Sequence, residues 1–218
     1  MISFSHVDMR RPNARDFALS DFNLTVEKGE LTVLFGGSGS GKTTIFKLLT
    51  REWMPDAGEI MVTSTNIALL RGGALAAYRR SLGYVSQGFP LLEDRTVEEN
   101  IRLPLEINGM RKARLRDRIT STLDRFNLNA TSKLFPKSLS ASERQRVAIA
   151  RAVVTEPMVL LADEPTAYLD PRGEEEIVAL LRNENMRGMT VLLGTSDERL
   201  IAALPEARII SLAQPVFR

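Results

Sequence analysis

The chain contains no cysteine, which excludes a disulfide framework and any nucleophile or metal site built on a thiolate. The absence fits a reducing compartment, and the cytoplasm is the expected location. Histidine occurs once, at His6. Nothing around it in the sequence resembles a ligand set, so it reads as a strand residue without a chemical role. No run approaches the roughly 18 apolar residues that a membrane-spanning helix needs, and the opening segment MISFSHVDMR lacks a long apolar stretch. A membrane role therefore has to come through a partner. The formal charge is only +2, so the totals demand no polybasic tail and suggest no nucleic-acid binding. Internal repeats and low-complexity linkers are absent as well.

What remains suits one large α/β unit. The 218 residues are 44% hydrophobic, enough to bury a substantial core. Alternating apolar residues in ISFSHV and FNLTVE predict strands, and LTVLF, residues 31–35, reads as a buried strand. A helix should run through IFKLLTRE to the turn signal MPDAGE, with a short strand EIMV after it. Residues from about 88 to 154 are helical by pattern, in TVEENIRLPLEI, RKARLRDRITSTLDRF and a third helix opened by Ser140 and Glu143 as a capping box. Beyond them come the strand MVLLA, a helix near PRGEEEIVALLRNE, the strand TVLLG, a helix in DERLIAAL and a last strand in ARIISL. Strands alternating with helices imply a mainly parallel sheet. The predicted division is a core lobe of about 1–87 and 155–218, with about 88–154 as an inserted helical subdomain.

Between the strand 31–35 and its helix stands GGSGSGKTT, which matches G-x-x-x-x-G-K-[ST] at Gly36, Gly41, Lys42 and Thr43. In such a loop the backbone N–H groups of Gly36, Gly37, Ser38, Gly39, Ser40 and Gly41 can curl around a phosphate, and the helix behind adds its positive end. Lys42 is placed to neutralise β- and γ-phosphates, Thr43 to offer its hydroxyl to Mg²⁺, and Thr44 to donate to the phosphates. The acidic half is MVLLADEP. Asp163 would hold Mg²⁺ and Glu164 would polarise an attacking water, unless the two merely cap the following turn.

The phosphate loop, Gln87 in YVSQ, the segment LSASERQR, the strand VLLADEP and the turn AYLD stand in an order and at spacings that resemble the ABC-type ATPases, a P-loop NTPase family. The resemblance covers essentially the whole chain. It is nearest to the small bacterial subgroup of FtsE-like cell-division ATPases and lipoprotein-release and macrolide-export ATPases, on LADEPTAYLD, IARAVV and the short length. It implies a mixed sheet core with an antiparallel β part, and an ATP hydrolase that uses Mg²⁺. It also implies a homodimer closing on ATP, and an integral-membrane, FtsX-like permease as partner at the cytoplasmic face of the inner membrane. Ser140 would then face the γ-phosphate held by the other subunit, and Asp170 would reach across the dimer, although Asp170 also reads as an N-cap before Pro171. Gln87 would contact Mg²⁺ or the attacking water.

Three departures from that family pattern bear on rate. Ala141 and Ser142 occupy positions where two glycines are usual, with the Ser142 hydroxyl as a replacement donor. Ser196 stands where the family has a histidine, which implies slow hydrolysis. The aromatic residue expected to stack on adenine is missing, and Arg11 is the candidate in its place. A rival reading is an ATP-dependent assembly switch with little turnover. Non-transport ABC proteins of DNA repair or translation usually need a longer chain. The basic run RKARLRDR has Asp117 within it and no interleaved aromatics, so it reads as a solvated helix face rather than a nucleic-acid patch.

Overall fold

In a computed structural model of the chain, residues 1–10, 17–88 and 90–212 are described. The strands form two sheets. One is antiparallel, in the order β2-β1-β4-β5, from β1 (Ile2–Arg10), β2 (Phe17–Val26), β4 (Ala57–Val62) and β5 (Thr65–Asn66). The other is parallel, in the order β6-β7-β8-β3-β9, from β3 (Leu31–Phe35), β6 (Leu82–Val85), β7 (Val159–Asp163), β8 (Thr190–Thr195) and β9 (Arg208–Ser211). The expected mixed core is thus two separate sheets, each of one sense.

The central strands β7, β8 and β3 are buried on both faces, which explains their continuous apolar runs, whereas the edge strand β9 is largely exposed. Alternate residues serve alternate cores. Leu31, Val33, Leu160, Ala162, Val191 and Leu193 join a cluster with the helices α3 (Val97–Ile107), α4 (Lys112–Arg125), α5 (Ala141–Val153) and α6 (Pro171–Met186). Leu34, Val159, Leu161 and Leu192 face the other way, toward α1 (Lys42–Leu49) and the antiparallel sheet. Helix α1 buries Ile45, Phe46, Leu48 and Leu49 in that second cluster. At about 1.5–3 kcal/mol for each large apolar side chain, four such residues fix the helix against the sheet. Its first turn is then held at the ends of the strands.

Several boundaries differ from the sequence reading. The turn signal MPDAGE gives its last residues to β4, where Gly58 takes φ +83 and a Cβ would lie 2.2 Å from the carbonyl oxygen of His6. His6 lies on β1 as expected, in left-handed backbone where the β1–β4 register shifts, and its Nδ1 is 2.6 Å from Asp21 Oδ1. Among the elements that escaped prediction are the two-residue β5, α2 (Gly72–Arg80) and β6. Helix α2 has a glycine-rich start and a weak apolar stripe, and its anchor is tertiary: the buried Tyr78 hydroxyl donates to Leu49 O at 2.6 Å. Strand β6 is only LGYV, and it exists because β7 pairs with it along its length.

The edge strand β6 leaves no room at Gly83, where a Cβ would lie 2.7 Å from Ala152 O and 3.0 Å from Pro157 Cγ. Gly83→Ala is expected to cost about 1–3 kcal/mol in urea unfolding, the usual penalty for overpacking.

Candidate functional site

Three adjacent parallel strands, β7, β8 and β3, end side by side, with Asp163 opposite Gly194 and Phe35 opposite Thr195. Ligands of open α/β sheets bind at such carboxyl ends. The glycine-rich loop springs from β3 here. Gly36 N donates to Thr195 O at 3.1 Å, and Gly39 and Gly41 take φ +87 and +99. At Gly41 a Cβ would meet Ala18 O and Leu19 Cδ2, each at 3.0 Å. The left-handed turn at Gly41 leads the chain directly from the loop into α1, and the N-terminal end of a helix favours an anion.

Lys42 opens α1 and is buried. Its ammonium donates to Gly36 O at 2.5 Å and Gly37 O at 3.1 Å, and lies 3.3 Å from Glu164 Oε1. Thr43 Oγ1 donates to Asp163 Oδ2 at 2.7 Å. The other carboxylate oxygen, Asp163 Oδ1, is buried without a hydrogen-bond partner, as is Ser40 Oγ. Burial raises the Asp163 pKa above the ordinary carboxylate range, the Thr43 hydrogen bond opposes that rise, and the charge of Glu164 adds to it. A buried carboxylate with one idle oxygen beside a hydroxyl is a donor set suited to a hard divalent cation. Nearby, burial and then the Asp163 charge push Tyr84 up to about 12.

Glu164 follows β7 in left-handed backbone at φ 48, with its N–H on Gly194 O at 2.8 Å. Its Oε2 accepts from Ser196 N and Thr195 Oγ1, each at 3.2 Å. These groups enclose a cleft of about 570 Å³, lined by residues 38–44 with Lys47, Trp53, Gln87, Asp163, Glu164, Ala167, Tyr168 and Ser196.

The structure thus brings together Lys42, Thr43, Thr44, Asp163, Glu164, Gln87 and Ser196 with the loop. It places Gly36, Gly37, Ser140, Ser142 and Asp170 outside the cleft lining, and the Gly36 and Ser40 amides, expected from the sequence to face a phosphate, donate instead to Thr195 O and Gly37 O. Ser140 caps α5 in a complete capping box: its hydroxyl accepts from Glu143 N at 3.2 Å, and its own N–H donates to Glu143 Oε2 at 2.8 Å. The Ser142 hydroxyl, read from the sequence as a spare donor, points to Glu176 Oε2 at 3.3 Å on α6. Asp170 is the N-cap of α6, accepting from Gly173 N at 2.7 Å. Arg11 lies outside the described residues. Sequence reasoning missed Lys47, Trp53 and Tyr168. Lys47 carried a signal, being four residues after Thr43 on the same helix face. Trp53 sits in the turn after α1 with the Lys47 ammonium 4.5 Å from its ring centre, a tertiary pairing that no spacing rule supplies.

Comparison with known proteins adds three findings. A family model described as ABC transporter matches residues 19–167. The cell division ATP-binding protein FtsE of Mycobacterium tuberculosis (strain ATCC 25618 / H37Rv) is 38% identical over 213 residues, covering 98% of this chain and 92% of the relative. FtsE of Escherichia coli (strain K12) is 41% identical over 202 residues, covering 93% and 90%. Among solved structures, the dimeric ATP-binding cassette MJ0796 in a post-hydrolysis state bound to ADP and Pi shares 32% identity. Its TM-score is 0.87, over 99% of this chain and 95% of that one.

Because burial opposes the Asp163 charge, the ionised carboxylate costs stability above its raised pKa, and the cost disappears as pH falls through that pKa. Asp163→Asn is therefore expected to raise the thermal midpoint of the ligand-free protein at neutral pH. Melting curves across pH should show that gain shrinking toward acid.

Proposed function

The chain belongs to the ABC transporter family, and on that premise we propose that it is the ATP-binding subunit of a membrane-associated complex of the cell-division type, hydrolysing ATP to ADP and phosphate. Relatives named for cell division span nearly its whole length. The observation that carries the site assignment is the buried Asp163 carboxylate, bonded to Thr43 on one oxygen and idle on the other, beside Lys42 and Glu164. When bound, Mg–ATP supplies the phosphoanhydride to be cleaved. Asp163, Thr43 and Gln87 are the residues to hold the cation. Loop amides, Lys42 and Thr44 would balance the phosphate charge, and Glu164 would orient a water and take its proton as the water oxygen bonds to the γ-phosphorus and the bond from that phosphorus to the bridging oxygen breaks, with ADP leaving.

Two copies would close head to tail, with Ser140 at the N-terminus of α5 and Asp170 completing the partner's site. The capping box leaves the Ser140 hydroxyl proton free to donate. Residues about 88–154 form, in this reading, a lobe that carries α5 relative to the strand ends. Among the described residues no helix is long and apolar enough to cross a membrane. Attachment to the cytoplasmic face of the inner membrane would come through an integral-membrane permease. Nucleic acid is not a proposed partner: within the basic run, Arg118 is spent on Glu156 at 2.5 Å.

Hydrolysis is proposed to be slow. Ser196 offers Glu164 only its backbone N–H, and a serine side chain is too short to act as an imidazole would. An assembly switch without turnover is not favoured, since the complete acidic half of the site accompanies the phosphate loop.

Phosphate release from purified protein with Mg–ATP should exceed one equivalent per site. Glu164→Gln should cut that turnover by about 10²-fold or more with nucleotide binding retained. Ser196→His should raise it, by up to about 10²-fold. An unaltered rate in Ser196→His would contradict the account of the slow step.

A further inference from the structure

Thr195, the last residue of β8, is fully buried and makes three contacts that no motif in the sequence assigns to it. Its carbonyl accepts from Gly36 N at 3.1 Å, which ties it to the first residue of the phosphate loop. Its hydroxyl oxygen accepts from Asp197 N at 3.0 Å, which starts the turn into α7 (Glu198–Ala202). The same hydroxyl donates to Glu164 Oε2 at 3.2 Å.

The direction of the third bond follows from the second. A backbone N–H can only donate, so the Asp197 amide occupies a lone pair of the Thr195 oxygen and leaves the hydroxyl proton for the carboxylate. A β-branched side chain holds its rotamer stiffly, and full burial removes water as a competitor. Ser196 N reaches the same carboxylate oxygen at 3.2 Å, but on a turn residue that is exposed. The other oxygen faces Lys42 at 3.3 Å, a contact that phosphate would compete for.

We infer that Thr195 is the positioning residue for Glu164, fixing its carboxylate relative to the phosphate loop through one side chain and one carbonyl of the same strand residue. The inference rests on the assignment of Glu164 as the group that orients water. Thr195 is not among the residues that line the cleft, so its removal should change the chemical step and spare binding. A misplacement of about 1 Å in a reacting group can cost on the order of 10²-fold in rate.

The test uses the full chain as Thr195→Val and Thr195→Ser, with kcat from phosphate release and Mg–ATP affinity from calorimetry. Thr195→Val is expected to lose about 10- to 100-fold in kcat with Kd within about twofold of wild type, and Thr195→Ser to recover kcat to within about threefold. In crystals of Thr195→Val the Glu164 carboxylate should leave the Ser196 amide. If Thr195→Val does not fold, Thr195→Cys keeps the size with a weaker donor and should show the same split between kcat and Kd. Where wild-type turnover is too low to measure, the crystal result decides. Wild-type kcat with an unmoved carboxylate overturns the inference, and so does a parallel loss of kcat, Kd and melting temperature in both variants. Undiminished turnover in Glu164→Gln is a distinct result: it removes the role given to Glu164, and this inference with it.

Discussion

A carboxylate taken out of water needs partners, and Asp163 has a hydrogen bond on only one oxygen. Most of the architecture serves to keep it there. Strand β7 is buried on both faces and cannot shift register without exposing its apolar run. Helix α1 is clamped by Phe46, whose ring edge fills the space that a Cβ on Gly194 would take, at 2.7 Å. The Thr43 hydroxyl at the start of that helix thus meets a carboxylate on a strand 120 positions later in the sequence. The fold holds an energetically costly arrangement in place, as expected where a site is organised before its ligand arrives.

The charges around Asp163 are arranged so that neither sign is left alone. The Lys42 ammonium rests on two loop carbonyls and against Glu164. Glu164 in turn rests on the Ser196 amide and the Thr195 hydroxyl. An entering triphosphate would take over the position that Glu164 holds against Lys42, freeing that carboxylate oxygen. Exchanging one anion for another at a buried cation keeps the desolvation cost small, because the ammonium is never left unpaired.

Much of this was legible in the sequence because it is local. The glycines, Lys42 and Thr43 are consecutive, Asp163 and Glu164 end an unmistakable apolar strand, and the caps at Ser140 and Asp170 follow from side chains three residues from their targets. The rest depends on contacts between distant segments. Helix α2 is tied to the end of α1 by the Tyr78 hydroxyl and the Arg79 guanidinium, Trp53 lines the cleft with the Lys47 ammonium over its ring, and Thr195 looks like any strand threonine until β7 is laid beside it. Ser142 shows the same limit. Its bond to Glu176 and its packing 3.3 Å from the place of a Cβ on Gly173 join α5 to α6, a pairing that the residues around Ser142 do not announce.

The central claim is that the loop at 36–44, with Asp163 beside it, is built for a magnesium-bound nucleoside triphosphate. Isothermal titration of the folded, ligand-free chain with Mg–ATP, alongside Lys42→Ala, tests it most directly. The expected result is a saturable heat corresponding to one nucleotide per chain, lost in the Lys42→Ala protein. A well-folded wild-type chain giving no heat with Mg–ATP, or a Lys42→Ala chain binding as tightly as wild type, would contradict it.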